Sequence, residues 1–355
     1  MSRLEKILNS KFFLTLISII ISFVVGAFFL IGMGISPVAA YGKLLSGIFS
    51  TTKSLSYCVV YATPLIFTGL AVAFSFRTGV FNIGAEGQFV VGSMAACVVG
   101  ILVPAPSYIL IPLCFIAAAI AGAIWGIIVG WLKTKFGINE VLSMIMFNWI
   151  AYYFSNFIAD LKVIHNTGSA EATQNVADAA MILLPKEWIK ALGLAPKANW
   201  GIFAAILAVV IIYIIIEKTT MGYELKAVGF NKSSAEYAGI SVNRSILTAL
   251  AISGMLAGIG GAMQLLGMGG RISIFTSQEG YGFQGISVAL IGASSPFGVF
   301  FAGLFYGALK YGGTKLNLIN APSEVIDIIT GMVVFFIAIS HVFRIRIRKG
   351  GKIHG

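Results

Sequence analysis

Three stretches of this sequence set hydrogen-bonding side chains among glycines inside runs that are otherwise apolar. FNIGAEGQF (81–89) holds Asn82, Glu86 and Gln88 close to Gly79, Gly84 and Gly87. GINEVLSMIMFNW (137–149) holds Asn139, Glu140 and Asn148. GYGFQGISVALIGASSPFG (280–298) places Gln284 among Gly280, Gly282, Gly285, Gly292 and Gly298 and ends in a Ser-Ser-Pro turn. Amides of this kind offer both donors and acceptors to a neutral polar solute. The carboxyl groups of Glu86 and Glu140 offer a second chemistry, the carriage of protons. On a helix Glu140 and Asn148 share a face, with Asn139 one position round. A purely structural use, hydrogen bonding between helices, is open to the same residues. Clustered glycine weakens regular helix, so 81–89 is expected to be a broken helix. Broken backbone at membrane depth persists only where it faces protein or a water-filled path.

The elements that must position these residues are membrane helices. Of 355 residues, 58% are hydrophobic and 10% charged, and the mean hydropathy is +0.94. A soluble domain carries about 25% charged residues. The apolar runs are long and continuous, which favours helices over the alternating segments of a barrel. A span needs about 20 apolar residues. Runs of that kind predict ten spans, near 12–34, 57–76, 80–102, 107–131, 138–158, 200–217, 245–268, 282–296, 298–316 and 322–343. The fold class is therefore all-α, a polytopic membrane bundle of about ten helices forming one domain over 1–355. The Gly-interrupted segments in its two halves suggest a broken-helix pseudo-repeat, an arrangement that brackets the path in transporters.

Segment 35–56 is expected to be an outer loop or surface helix. The longest polar stretch, 159–199, is expected to be an extracellular loop with an amphipathic segment at 181–193. The net charge is +11, from 24 Lys and Arg against 13 Asp and Glu. With both termini inside, fifteen of the basic residues fall on the cytoplasmic side and the other nine go to outer segments, in accord with the positive-inside rule. The basic excess thus sets topology and does not mark a nucleic-acid protein. Cys58, Cys97 and Cys114 lie in apolar runs without metal-ligand spacing, and His165, His341 and His354 form no ligand pattern. No nucleophile or metal constellation supports an intramembrane enzyme.

The polar segment 218–244 is broken by Gly222, Gly229 and Gly239, with short helical stretches between and a capping-type Ser233 ahead of Glu236. It fits a docking surface for a cytoplasmic partner, or a basic loop that only sets topology. The chain has no GxxxxGK[ST] loop, so ATP, if it drives transport, is bound by another subunit.

RTGVFNIGAEGQF (77–89), GINEVLSMIMFNWIA (137–151), TTMGYELKAVGFNKSSAEYAGISVNR (219–244) and GYGFQGISVALIGASSPFG (280–298) together resemble the permease subunits of bacterial ABC importers in the branched-chain amino acid/monosaccharide group. Within that group the sequence is most similar to nucleoside and simple-sugar permeases that work with binding lipoproteins. The resemblance implies a multi-pass protein of the bacterial cytoplasmic membrane. Its implied partners are ABC ATPase subunits, a second and related permease subunit, and an extracytoplasmic substrate-binding lipoprotein. It implies no catalytic activity and no cofactor in this chain. The solute pathway is expected to use Asn82, Glu86, Gln88, Asn139, Asn148 and Gln284. Coupling to the ATPase is expected to use Gly222, Glu224, Gly229, Glu236 and Gly239. Glu236, Ala238 and Gly239 fit the Glu-Ala-Ala…Gly coupling pattern of these importers loosely, with Tyr237 in one Ala position. The alternative is an ion- or proton-coupled secondary transporter using Glu86 and Glu140.

Overall fold

The computed structural model describes residues 11–168, 171–274, 278–322 and 324–350. Arg3, Lys6 and Lys352, three of the fifteen basic residues expected on the cytoplasmic side, lie outside them, as does His354. Among the described residues there are fourteen α-helices, three isolated β-bridges and no strand. The helices are α1 (Lys11–Gly32), α2 (Pro37–Phe49), α3 (Thr52–Phe76), α4 (Ala85–Leu102), α5 (Ser107–Phe136), α6 (Glu140–Ala159), α7 (Lys186–Ala191), α8 (Gly201–Lys218), α9 (Thr220–Phe230), α10 (Lys232–Tyr237), α11 (Val242–Gln264), α12 (Tyr281–Ile291), α13 (Pro296–Gly313) and α14 (Val325–Gly350). Seven of them, α1, α3, α4, α5, α6, α8 and α11 with its π-helical extension to Gly269, are long and apolar enough to cross a membrane. α12 and the described apolar part of α14 are shorter.

Helices α3, α4 and α11 are mostly buried inside the bundle, whereas α1, α5, α6 and α8 turn most of their apolar sides outward. Lipid offers no hydrophobic drive for helix association, so close van der Waals packing must supply it. Glycine provides that packing here. A Cβ on Gly254 would strike the Gly122 carbonyl, and one on Gly258 would strike that of Ala118. One on Gly261 would strike the Phe89 carbonyl. Backbones of α11, α4 and α5 therefore touch directly, and α11 forms the axis of the bundle.

Most expected spans are present, with shifted ends. The span expected from 57 begins at Thr52, where the Thr51 hydroxyl accepts from the Ser54 N–H at 3.1 Å. The span expected from 80 begins only at Ala85, and the one expected over 282–296 stops at Ile291. Within 35–56 the structure has α2, with Ala40, Leu44 and Ile48 buried. The amphipathic segment 181–193 is helical only over Lys186–Ala191. Lys310, assigned to an outer segment by the charge count, lies inside α13.

Candidate functional site

The break between α3 and α4 is the centre of the site. α3 ends at Phe76, Gly79 turns the chain with φ +71°, and 80–84 is irregular until α4 starts. Val80 and Asn82 are fully buried, so this backbone is covered by protein. Its polar groups need partners, because no water is present in a membrane core to satisfy them. Asn148 of α6 supplies two. Its Nδ2 donates to the Ile83 carbonyl at 3.1 Å, and its Oδ1 accepts from the Gly87 N–H at 2.8 Å, one of the free donors of a helix start. Asn82 Nδ2 donates to Gln88 Oε1 at 2.8 Å and to Ser253 Oγ at 2.7 Å. Ser253 Oγ in turn donates to the Ala71 carbonyl at 2.6 Å. The break is thereby fastened to α3, α6 and α11.

Glu86 is fully buried in the first turn of α4. Its two oxygens accept from the Gly280 N–H at 2.7 Å and the Gly282 N–H at 2.6 Å. Gly280, at φ +82°, is the residue before α12. The carboxyl group thus sits between the N-termini of α4 and α12, where two partial positive charges meet. Gly282 has no room for a Cβ, which would strike the backbone of Ala85 and Glu86. This contact brings the two Gly-interrupted stretches together.

Gln284, one turn into α12, accepts from Lys310 Nζ at 2.7 Å. The ammonium also lies 3.8 Å from the centroid of the Tyr281 ring, whose other side stacks on Phe89 at 5.1 Å. Asp327, Glu279 and Glu86 interact with Lys310 electrostatically. Asn82 and Gln88 are thus bonded to each other, Asn148 is bonded to the same break, and Glu86 joins the start of α4 to α12, the helix that carries Gln284. Asn139 stands apart at the start of α6, exposed, its Oδ1 accepting from the N–H groups of Val141 and Leu142. Glu140 pairs with Lys133. Sequence reasoning missed Lys310, Glu279 and Asp327. The signal for Lys310 was available: a charge inside an apolar run is costly and marks function by default.

Within 218–244 the structure has α9 and α10. Thr219 caps α9, its hydroxyl accepting from the Gly222 N–H at 3.1 Å. Gly222 is packed against the last carbonyls of α8, and Gly229 lies against the backbone of Arg77 and Gly79. The cap of α10 is Asn231, whose Oδ1 accepts from the Ser234 N–H at 3.0 Å, in place of the expected Ser233. Gly239, at φ +83°, ends α10. Glu224 and Glu236 are exposed. So are Phe230 and Tyr237, at 90% and 96% of their full surface.

A glycine-packed bundle with apolar outer sides and a fastened helix break in its core is the architecture of a polytopic membrane protein. Residues 54–338 match the family described as branched-chain amino acid transport system / permease component. The chain belongs to that family and is a multi-pass protein of the bacterial inner membrane. It is 39% identical to the guanosine ABC transporter permease protein NupP of Bacillus subtilis, over 94% of this chain and 95% of the relative. It is 33% identical to the nucleoside ABC transporter permease protein NupB of Lactococcus lactis, over 96% and 94%. It is 32% identical to the glucose ABC transporter permease protein TsgB13 of Haloferax volcanii, over 94% and 88%.

Proposed function

We propose that this chain is the membrane-spanning subunit of an ATP-binding-cassette importer for nucleosides. The observation that carries the solute class is the near-complete alignment with the guanosine permease at 39% identity. The glucose relative supports simple sugars as the second reading.

The chain lacks a nucleotide-binding loop, so motion must arrive from an ATPase subunit. Exposed Phe230 and Tyr237 on α9 and α10 provide apolar anchors for it, with Glu224 and Glu236 beside them. Gly222 and Gly229 hold α9 tightly to the spans, so a push on it moves α8 and the α3–α4 break. Gly239 gives α10 its sharp end. A related permease subunit completes the path, and an external binding lipoprotein delivers solute to the outer face, where 160–199 helps to receive it. Gln284 and Glu86 lie along the path, with Asn82, Gln88 and Asn148 holding its wall and Asn139 at its inner end. Alternating access follows when the ATPases close on ATP. Proton coupling through Glu86 fits poorly, because both carboxyl oxygens are spent on α12.

The test is uptake of labelled guanosine, uridine and glucose by cells with and without this chain. Loss of nucleoside uptake alone is expected. Loss of glucose uptake alone would move the assignment to sugars.

A further inference from the structure

Lys310 is a half-buried lysine whose charge is incompletely paired. It lies three residues from the end of α13, and its side chain reaches Gln284 on the half-helix α12. Among the described residues no carboxylate lies within ion-pair distance of it, and only Gln284 accepts a hydrogen bond from it. The nearest acid in the core, Glu86, is committed to Gly280 and Gly282. The Tyr281 ring holds the ammonium by a cation–π contact and, with Phe89 on its other side, leaves no open face on which a solute could stack. An ammonium has three donors, so two remain. The amide nitrogen of Gln284 also has no acceptor among the described residues. Lys310 and Gln284 are both only partly buried, and Glu279 is exposed. A charge so placed belongs to a solute or ion pathway.

A cavity of about 600 Å³ is lined by Lys43, Lys53, Tyr57, Tyr311 and Lys315 among others. Tyr57 stacks on Tyr311 at 5.1 Å, and Tyr61, one turn deeper on α3, packs against Tyr311 at 5.9 Å. Lys310 directly precedes Tyr311 in α13.

We propose that Lys310 is a solute-binding residue that donates a hydrogen bond to a ring carbonyl of the nucleobase as the solute passes α12. This deepens the nucleoside reading and rests on it. The chemistry selects this class of ligand. An ammonium hydrogen bonds most strongly to a good acceptor, and an amide-type carbonyl is a better one than a sugar hydroxyl. Gln284 Nε2 adds a neutral donor, and Glu279 an acceptor for an N–H or O–H.

The test uses the complete importer in proteoliposomes, with labelled guanosine as the transported probe. Inosine and purine riboside, which lacks the ring carbonyl, serve as competitors. In the wild type, inosine should compete about tenfold or more better than purine riboside, the worth of one charge-assisted hydrogen bond. Lys310→Met should raise the KM for guanosine by a similar factor and abolish the preference for inosine. Lys310→Arg should keep the preference. Basal ATPase activity of each assembled complex reports that the variant is folded. An inosine preference that survives in Lys310→Met, or one absent from the wild type, overturns the assignment of Lys310 while leaving nucleoside import intact. A wild-type importer that accumulates glucose and no nucleoside overturns both. If Lys310→Met does not assemble, the wild-type competition still decides, because equal inhibition by the two competitors overturns the proposal.

Discussion

Arg77 Nη2 donates to the carbonyl of Ser294 at 3.0 Å, tying the inner end of α3 to the turn between α12 and α13. Ala293 and Ser294 in that turn both have φ near 51°, a left-handed backbone that costs energy in residues other than glycine. The carbonyl of the same arginine is the surface on which Gly229 of α9 rests. One residue thus touches α9, the helix break and the C-terminal end of α12, whose N-terminal end is bound by Glu86. Arg77→Gln is expected to lower uptake about tenfold, the scale of one hydrogen bond from a charged donor, while ATPase activity persists. Parallel measurement of uptake and ATP hydrolysis in proteoliposomes checks it. Equal loss of both would assign Arg77 to stability alone.

The proposed docking of an ATPase on α9 and α10 gives a second expectation. Phe230 and Tyr237 are almost wholly exposed, so truncating them leaves the permease fold intact. Combined Phe230→Ala and Tyr237→Ala should weaken ATPase association by about 2 kcal/mol or more if they act as anchors. Co-purification at graded detergent-washing times measures this. Glu236→Trp with Gly239→Leu should uncouple hydrolysis from uptake, since Gly239 occupies a left-handed position that a leucine adopts only with strain.

Asn148 bridges two backbone groups of the break. Asn148→Leu leaves the Ile83 carbonyl and the Gly87 N–H without partners, at about 1–3 kcal/mol for each buried group. Thermal unfolding in detergent should show a clear drop. Asn148→Asp keeps the acceptor for Gly87 and should lose less. Asn82→Leu should behave as Asn148→Leu does, because it removes the bonds to Gln88 and Ser253. If either leucine variant unfolds at the wild-type temperature, the break is not held in this way.

Much of this arrangement was legible in the sequence, and the reasons differ by residue. The spans were readable because lipid demands long apolar runs, and the break because Gly84 and Gly87 sit beside Asn82 and Glu86. Asn139, placed on the path by its polarity, precedes Glu140 as the N-cap that its residue type favours. The bond from Glu86 to Gly280 joins residues 194 apart, and no local pattern records such a pairing. Lys310 was hidden because the apolar residues around it satisfied the count for a span. Helix ends shifted where capping decided them: Thr51 extended α3 backward, while the bonds of Asn148 held α4 to a late start.

Glycine packing gives a further expectation. Gly258→Val would drive side-chain atoms into the carbonyl of Ala118, and overpacking of this kind costs about 1–3 kcal/mol. Gly32→Ala, where an added Cβ meets nothing within 4 Å, should cost nothing measurable. The difference in unfolding temperature between the two variants is the measurement.

The proposed function makes this chain a gate worked by a separate ATPase. Its most direct test is nucleoside accumulation in proteoliposomes that contain either the chain alone or the full assembly of ATPase, partner permease and binding lipoprotein. Concentrative uptake is expected only in the full assembly, only with ATP, and unaffected by a protonophore. Accumulation by the chain alone, driven by an ion gradient and collapsed by that protonophore, would contradict it.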